Sequence, residues 1–267
     1  MDVPWRLISS LQAKKERTKS RLTVAEGPPS VLLGLLSQAV FEFLILDTEM
    51  EATARGREIR EALAQHPKPG KVLTVKPSLY RKMSGTKTPQ GALLVLPFPF
   101  EFVSPLPKSP WLEPLSVVGV DLQDPGNAGT LIRNAASVGA WEVSFTGDAV
   151  DPYSPKCIRA SAGAVFQVPV TYHKDPVLYI RDLLDTGSTV YKTLPEGGIV
   201  PWEARLDKGC ALVLGNEGQG LPWKVDSLIT QAISIPMPGG TQSLNVAAAS
   251  AVVLYEAARQ RMTCPSQ

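Results

Sequence analysis

Residues 235–261, IPMPGGTQSLNVAAASAVVLYEAARQR, decide how this chain is read. A strand-like apolar end runs into a loop of proline and glycine, then into a polar Ser-Leu-Asn entry and a long run of small and apolar residues. The run is a helix by composition, expected over Leu244 to Met262, with Ser243 or Asn245 accepting hydrogen bonds from its first free amides. A capped helix has no need of the Gly239-Gly240 loop before it. A helix N-terminus with exposed amides beside such a loop is also a polar ligand site.

Two earlier segments repeat this order of an apolar strand running into a loop rich in glycine and side-chain amides. LGNEGQGLP (214–222) comes after CALV, and DPGNAGTLIRNAASVGA (124–140) comes after VVGVDLQ. Loops of this kind at strand ends are how α/β proteins assemble a pocket along the carboxyl edge of a parallel sheet. The chain between them alternates regularly. Strands are expected at 117–121, 142–146, 168–171, 189–193, 211–214 and 231–235, with helices at 128–138, 156–163 and 176–185. Near-continuous apolar strands fit a sheet covered by helices on both faces.

At 267 residues and 44% hydrophobic composition, the chain is long enough for two modest domains with real cores. No stretch has the apolar length of a membrane span, and the charged start lacks the apolar core and small-residue cleavage site of a secretory signal, so the cytoplasm is the expected location. Cys157, Cys210 and Cys264 are scattered, as are His66 and His173, and no metal-ligand spacing occurs. The net charge of +2 conceals an asymmetry. Residues 1–90 carry 15 Lys and Arg against 9 Asp and Glu, a balance of +6, whereas residues 91–267 carry 12 against 16, or −4. A basic module beside a near-neutral one suits recognition of a polyanion next to a small-molecule site, and it is equally consistent with a solvated basic surface.

The proline-rich stretch LPFPFEFVSPLPKSPWLEP (96–114) reads as an extended linker or edge and sets a domain boundary near residue 105. The expected domains are 1–105, a small α/β unit opening on a basic helix over residues 4–18, and 106–267. In the first, helices are expected at 28–38, 53–65 and 79–83, with strands FEFLIL, KVLTV and ALLVL between and after them.

Together, the three loop segments closely resemble the motifs of the SpoU/TrmH branch of the SPOUT methyltransferases, which transfer a methyl group from S-adenosylmethionine to a ribose 2′-hydroxyl of RNA. The resemblance is strong from residue 117 onward. KCIRASAGAVFQVPV adds the family's R-x-S-x-G segment at Arg159, Ser161 and Gly163, while AEGPPSV and KTPQGALLVL resemble a substrate-binding domain related to a ribosomal protein fold. The resemblance implies a C-terminal segment threaded into a trefoil knot and a homodimer through the C-terminal domain. It also implies RNA as partner, ribosomal RNA ahead of transfer RNA; no metal is expected, because the Cys and His residues show no metal-ligand spacing. Asn127, Arg133 and Glu217 would be catalytic. The donor pocket would be formed by Leu214, Gly215, Asn216, Gly218, Ile235, Met237, Ser243, Leu244 and Asn245, with Thr193 covering it. Arg17, Lys19, Arg21, Lys87 and Arg159 would contact RNA. One departure is Ala136, where family members often carry an acid three positions after the Arg. A non-catalytic RNA-binding protein on the same scaffold and a dinucleotide-dependent oxidoreductase are the alternatives. The set of polar motif residues argues against the first, and the absence of G-x-G-x-x-G argues against the second.

Overall fold

The structure, a computed structural model, describes residues 4–106 and 109–263; Cys264 lies outside them. In chain order the elements begin α1 (Trp5–Ser10), α2 (Lys14–Ser20), β1 (Leu22–Glu26), α3 (Pro28–Leu36), β2 (Phe43–Asp47), α4 (Thr48–Glu51), α5 (Ala54–Ala64), β3 (Lys71–Val75), α6 (Pro77–Met83) and β4 (Ala92–Pro97). They continue β5 (Leu115–Val120), α7 (Pro125–Ser137), β6 (Glu142–Thr146), α8 (Pro155–Ala160), β7 (Val170–His173), α9 (Pro176–Asp185), β8 (Thr189–Thr193), β9 (Cys210–Leu214), α10 (Trp223–Asp226), β10 (Gln231–Ile233) and α11 (Val246–Thr263).

The first compact unit comprises Met1–Pro107 together with Tyr153–Gln167. Its sheet runs β1-β4-β2-β3, with β4 antiparallel to both neighbours and β2 parallel to β3. Ile8, Leu11, Val24, Ile45, Tyr80 and Leu93 are fully buried against one another. The basic start is two helices rather than one. Arg17, expected to face RNA, is instead 3% exposed. Its Nη1 donates to the carbonyls of Leu11 (3.1 Å) and Gln12 (3.0 Å), holding the break between α1 and α2. A guanidinium used this way presents no charge to a phosphate, so Arg17 is a structural residue and not an RNA contact.

The segment Tyr153–Gln167, read from sequence with the C-terminal domain, packs in this first unit. Glycine at 163 has φ +88°, and a Cβ there would lie 2.8 Å from the Ser30 Cα of α3. The glycine of R-x-S-x-G thus permits close helix contact, and Ser161, fully buried, donates to the Ile158 carbonyl at 2.7 Å. The proline-rich stretch is not free either. Val40 N–H donates to the Glu101 carbonyl and Val103 N–H to that of Gln38, while the Phe100 ring lies 4.7 Å from Phe166 and 5.2 Å from Tyr153, centre to centre.

The second unit, Lys108–Pro152 with Val168–Gln267, carries an all-parallel sheet in the order β10-β8-β9-β5-β6-β7. Every residue of the central β5 and β9 is buried, as their near-continuous apolar sequences require of strands covered on both faces. Because all strands point the same way, the loops after β5, β8, β9 and β10 emerge at one edge. Helix α7 begins three residues earlier than its sequence suggests, because Asp124 caps it by accepting from Asn127 N–H at 2.8 Å. At the far end of α11, Arg261 is 8% exposed and donates to the carbonyls of Leu206, Lys208, Glu113 and Pro114.

Candidate functional site

A cavity of about 540 Å³ opens at this carboxyl edge, within the size range of small-molecule and cofactor sites. Loop 215–221 forms one wall, Thr193 to Pro195 a second, and Ile235, Met237 and residues 243–246 a third. The Gly-rich loop is a tight reversal: Asn216 N–H donates to the Gly220 carbonyl and Gly220 N–H to that of Asn216, both at 2.9 Å. A Cβ on Gly215 would stand 2.5 Å from the Gly220 carbonyl carbon. Asn216 Oδ1 accepts from the amides of Gly218 (2.9 Å) and Gln219 (3.1 Å), so this side chain shapes the loop. These features leave a backbone-walled cleft that a nucleoside and an amino-acid chain could share, with apolar Ile235, Met237 and Val253 for the flat ring.

At its mouth, side chains from the first turn of α7, the Gly-rich loop and the N-cap of α11 form one hydrogen-bonded line. Asn127 Nδ2 donates to Glu217 Oε1 at 2.8 Å, and Asn245 Nδ2 donates to Asn127 Oδ1 at 2.9 Å. Asn245 Oδ1 in turn accepts from Ala247 N–H (2.9 Å) and Ala248 N–H (3.2 Å), which makes Asn245 the N-cap of α11. Asp124 takes the capping duty on α7, and that releases the Asn127 amide for this line. Each amide is oriented by its neighbours, so the carboxylate of Glu217 is held at a fixed place on the rim.

The expected donor-pocket residues fall into two groups. Thr193, Gly215, Asn216, Gly218, Ile235, Met237, Ser243, Leu244 and Asn245 line the cavity, as does Glu217. Leu214, expected to contribute its backbone, ends β9 fully buried and is not part of the cavity lining. Asn127 reaches the rim through its bonds. Arg133 stands apart, on the exposed side of α7, with its guanidinium engaged by no described residue. Lys19, Arg21 and Lys87 are exposed on the first unit, but Arg159 is committed to Glu26, a buried carboxylate 3.6 Å away, and does not offer a free cation. Glu26 also accepts from the Ser84 hydroxyl and from Gly85 N–H at 2.9 Å, tying down the loop that carries Lys87.

Sequence reasoning missed Asn134, whose Nδ2 donates to the Ala247 carbonyl (2.9 Å) and the Ser250 hydroxyl (3.0 Å), locking α7 to α11. The signal was present: Asn134 lies seven residues after Asn127, hence on the same face of the helix. In the core beneath, burial pushes the Tyr179 hydroxyl up to about 12 and raises the Cys210 thiol, so both stay neutral. Among the described residues no group of three or more His, Cys, Asp and Glu could hold a metal ion, and no helix is long and apolar enough to cross a membrane.

A parallel sheet with three polar segments joined over one cavity at its carboxyl edge defines an α/β protein with a cavity of small-molecule size at its loop face. The chain belongs to the SpoU rRNA Methylase family, whose model matches residues 114–255, and an MRM3-like substrate binding domain matches residues 6–94. It is 36% identical over 180 residues to an uncharacterized tRNA/rRNA methyltransferase of Synechocystis, covering 67% of this chain and 64% of that one. It is 28% identical over 246 residues to the 23S rRNA (guanosine(2553)-2′-O)-methyltransferase RlmP of Bacillus subtilis, covering 92% of each. Among solved structures, the AdoMet-bound rRNA methyltransferase of Sinorhizobium meliloti superimposes with a TM-score of 0.77 at 27% identity, over 96% of this chain and 94% of that one. S-adenosylmethionine is the cofactor of this family.

Proposed function

We propose that this protein transfers the methyl group of S-adenosylmethionine to a ribose 2′-hydroxyl of ribosomal RNA, acting in the cytoplasm. The observation that carries the reading is the Glu217–Asn127–Asn245 line, which joins all three motif segments at the mouth of one cavity. The sulfonium donor, when bound, supplies an activated methyl group and leaves as a neutral thioether, so the protein has no leaving group to protonate. Its residues need to hold a hydroxyl in line, exclude water and accept one proton. The backbone of Gly215 to Gly220 and the N-terminus of α11 cradle the donor. Glu217, held by Asn127, takes the 2′-hydroxyl proton. Asn127 and Asn245 orient and do not ionise. Arg133 is too basic to act as a base, and its free, exposed fork grips a phosphate of the incoming strand. RNA rather than DNA follows from the reacting group.

On the first unit, exposed Lys19, Arg21 and Lys87 supply phosphate contacts. We also propose a homodimer through α11. Val252, Tyr255 and Met262 are 44%, 60% and 72% exposed, and with Ala248 they follow at steps of four, three and seven residues along one face, a seam suited to a second helix. The trefoil threading of the C-terminal segment belongs to the same reading. The test is incubation of the full chain with methyl-labelled S-adenosylmethionine and undermethylated ribosomal or transfer RNA, then alkaline hydrolysis. Label recovered in alkali-resistant dinucleotides of ribosomal RNA is the expected result. Label in a base, or in transfer RNA alone, would refute the substrate assignment, and a monomer mass by light scattering at micromolar concentration would refute the dimer.

A further inference from the structure

Behind the Gly-rich loop lies a second cavity, of about 240 Å³, that the donor site does not use. It shares Asn216, Gln219, Gly220 and Leu221 with the first cavity and is closed on the other side by Asp121, Gln123 and Asp148. It therefore adjoins the reaction centre on two sides: Asn216 precedes Glu217, and the loop holding Gln123 leads directly into α7 and Asn127. Its floor is fixed. Asp121, at φ +55°, accepts from Asp148 N–H through Oδ1 at 2.7 Å, and its carbonyl accepts from Asn216 Nδ2 at 2.9 Å. The Asp148 carboxylate and the side-chain amides of Gln123 and Gln219 are exposed, and none of them is hydrogen-bonded to a described residue. At the rim, Pro222 is followed by Trp223, 75% exposed, with Lys224 Nζ 5.8 Å from the centre of its ring.

Among the described residues no cationic side chain lines this cavity, and its negative field is felt nearby: burial first, then the charges of Asp148, Asp121 and Asp151, push the Tyr172 hydroxyl up. A phosphate would be repelled there. A group rich in donors would be held, because ionised carboxylates only accept. Nucleobases differ in this respect. Guanine presents N1–H and the N2 amino group side by side, a donor pair matching the two oxygens of one carboxylate, with O6 and N7 left for amide donors. Uracil presents one N–H between two carbonyls that would face the carboxylates, while adenine and cytosine offer one amino group next to an acceptor. An exposed indole with a cation over it is the kind of platform on which a neighbouring base stacks.

We propose that this second cavity reads a guanine of the RNA substrate at the reaction centre, with Asp121 and Asp148 accepting from its Watson–Crick edge, Gln123 and Gln219 donating to its carbonyl side, and Trp223 stacking the adjacent base. The inference rests on the RNA 2′-O-methyltransferase reading for its substrate class and adds the base that is selected. Its test is a calorimetric titration of the full chain, saturated with S-adenosylhomocysteine, with the ribotrinucleotides UGU, UAU, UCU and UUU. UGU is expected to bind about 5- to 150-fold more tightly than UUU, the range of one bidentate base contact. Asp148→Asn and Asp121→Asn should abolish that ratio, and Trp223→Phe should leave it intact while Trp223→Ala weakens all four ligands. Both Asn variants keep the fold, since the Asp148 side chain has no hydrogen-bond partner among the described residues and Asn tolerates a positive φ while retaining the acceptor for Asp148 N–H. Equal affinity for UGU and UUU, no binding of UGU, or an undiminished preference in Asp148→Asn would overturn the proposal. These outcomes are separable from failure of the parent reading: a protein that methylates ribosomal RNA yet shows no guanine preference refutes only the base-reading cavity. One that binds UGU selectively but transfers no methyl group refutes the activity.

Discussion

The amide line across the site can be cut without unfolding the helix it caps, and this separates its catalytic from its structural share. Asn245→Ala removes both amide bonds at the start of α11 and the bond to Asn127. Loss of an N-cap costs about 1 kcal/mol, and loss of one solvent-accessible side-chain bond at most about 1 kcal/mol more. Asn245→Asp keeps an acceptor for Ala247 and Ala248 and places a negative charge at a helix N-terminus, which is favourable by about 0.3–1 kcal/mol. It replaces the donor toward Asn127 Oδ1 with a second acceptor. Denaturant unfolding should therefore show Asn245→Ala destabilised by about 1–2 kcal/mol and Asn245→Asp within about 0.5 kcal/mol of the parent. Both should lose methyl transfer under saturating donor. The loss is about two- to tenfold from the missing bond alone, and more if Asn127 then releases Glu217. Equal destabilisation of the two variants, or full transfer rate in Asn245→Asp, would refute the assignment of Asn245 as both cap and positioning residue.

Arg133→Ala should abolish transfer while changing stability by less than about 0.5 kcal/mol and leaving donor affinity unchanged in calorimetric titration, because the side chain is exposed and outside the donor cavity. Arg133→Lys should restore little, since a point charge does not reproduce a planar fork. Gly215→Val should sharply weaken S-adenosylmethionine binding by forcing apart the Asn216–Gly220 reversal; a folded variant with parental affinity would place the donor elsewhere. Replacing Lys19, Arg21 and Lys87 by Gln should lower the slope of log affinity for RNA against log salt by about 0.7–0.9 per phosphate contact removed, whereas Arg17→Gln should lower stability instead.

Much of the second unit was legible in its sequence because its central strands are largely apolar, its strands and helices alternate regularly, and its loops carry distinctive polar residues. The strands at Glu142–Thr146 and Thr189–Thr193 and the helix Pro176–Asp185 stand where their patterns put them. What escaped depended on contacts between segments distant in sequence. The role of Arg17 could not be read from a basic run, since burial of one cation among exposed ones is decided by the break after α1. The association of Tyr153–Gln167 with the first unit was equally hidden, for its apolar residues look the same whichever core they join. One consequence is practical: deleting residues 1–105 would strip Gly163 and Phe166 of the α3 and Phe100 surfaces they pack on, so charge substitutions test RNA recognition more cleanly than truncation. In the site, the residue types of the line were apparent, but its direction, from Asn245 through Asn127 to Glu217, required the finding that Asp124 caps α7.

Ribose methylation of ribosomal RNA is best tested by a map of 2′-O-methylated nucleotides in ribosomal RNA from cells with and without the gene. A 2′-O-methyl group is expected to disappear from large-subunit RNA in the deletion strain and to return with the wild-type gene but not with Arg133→Ala. Identical maps in the parent, the deletion strain and both complemented strains would contradict the assignment.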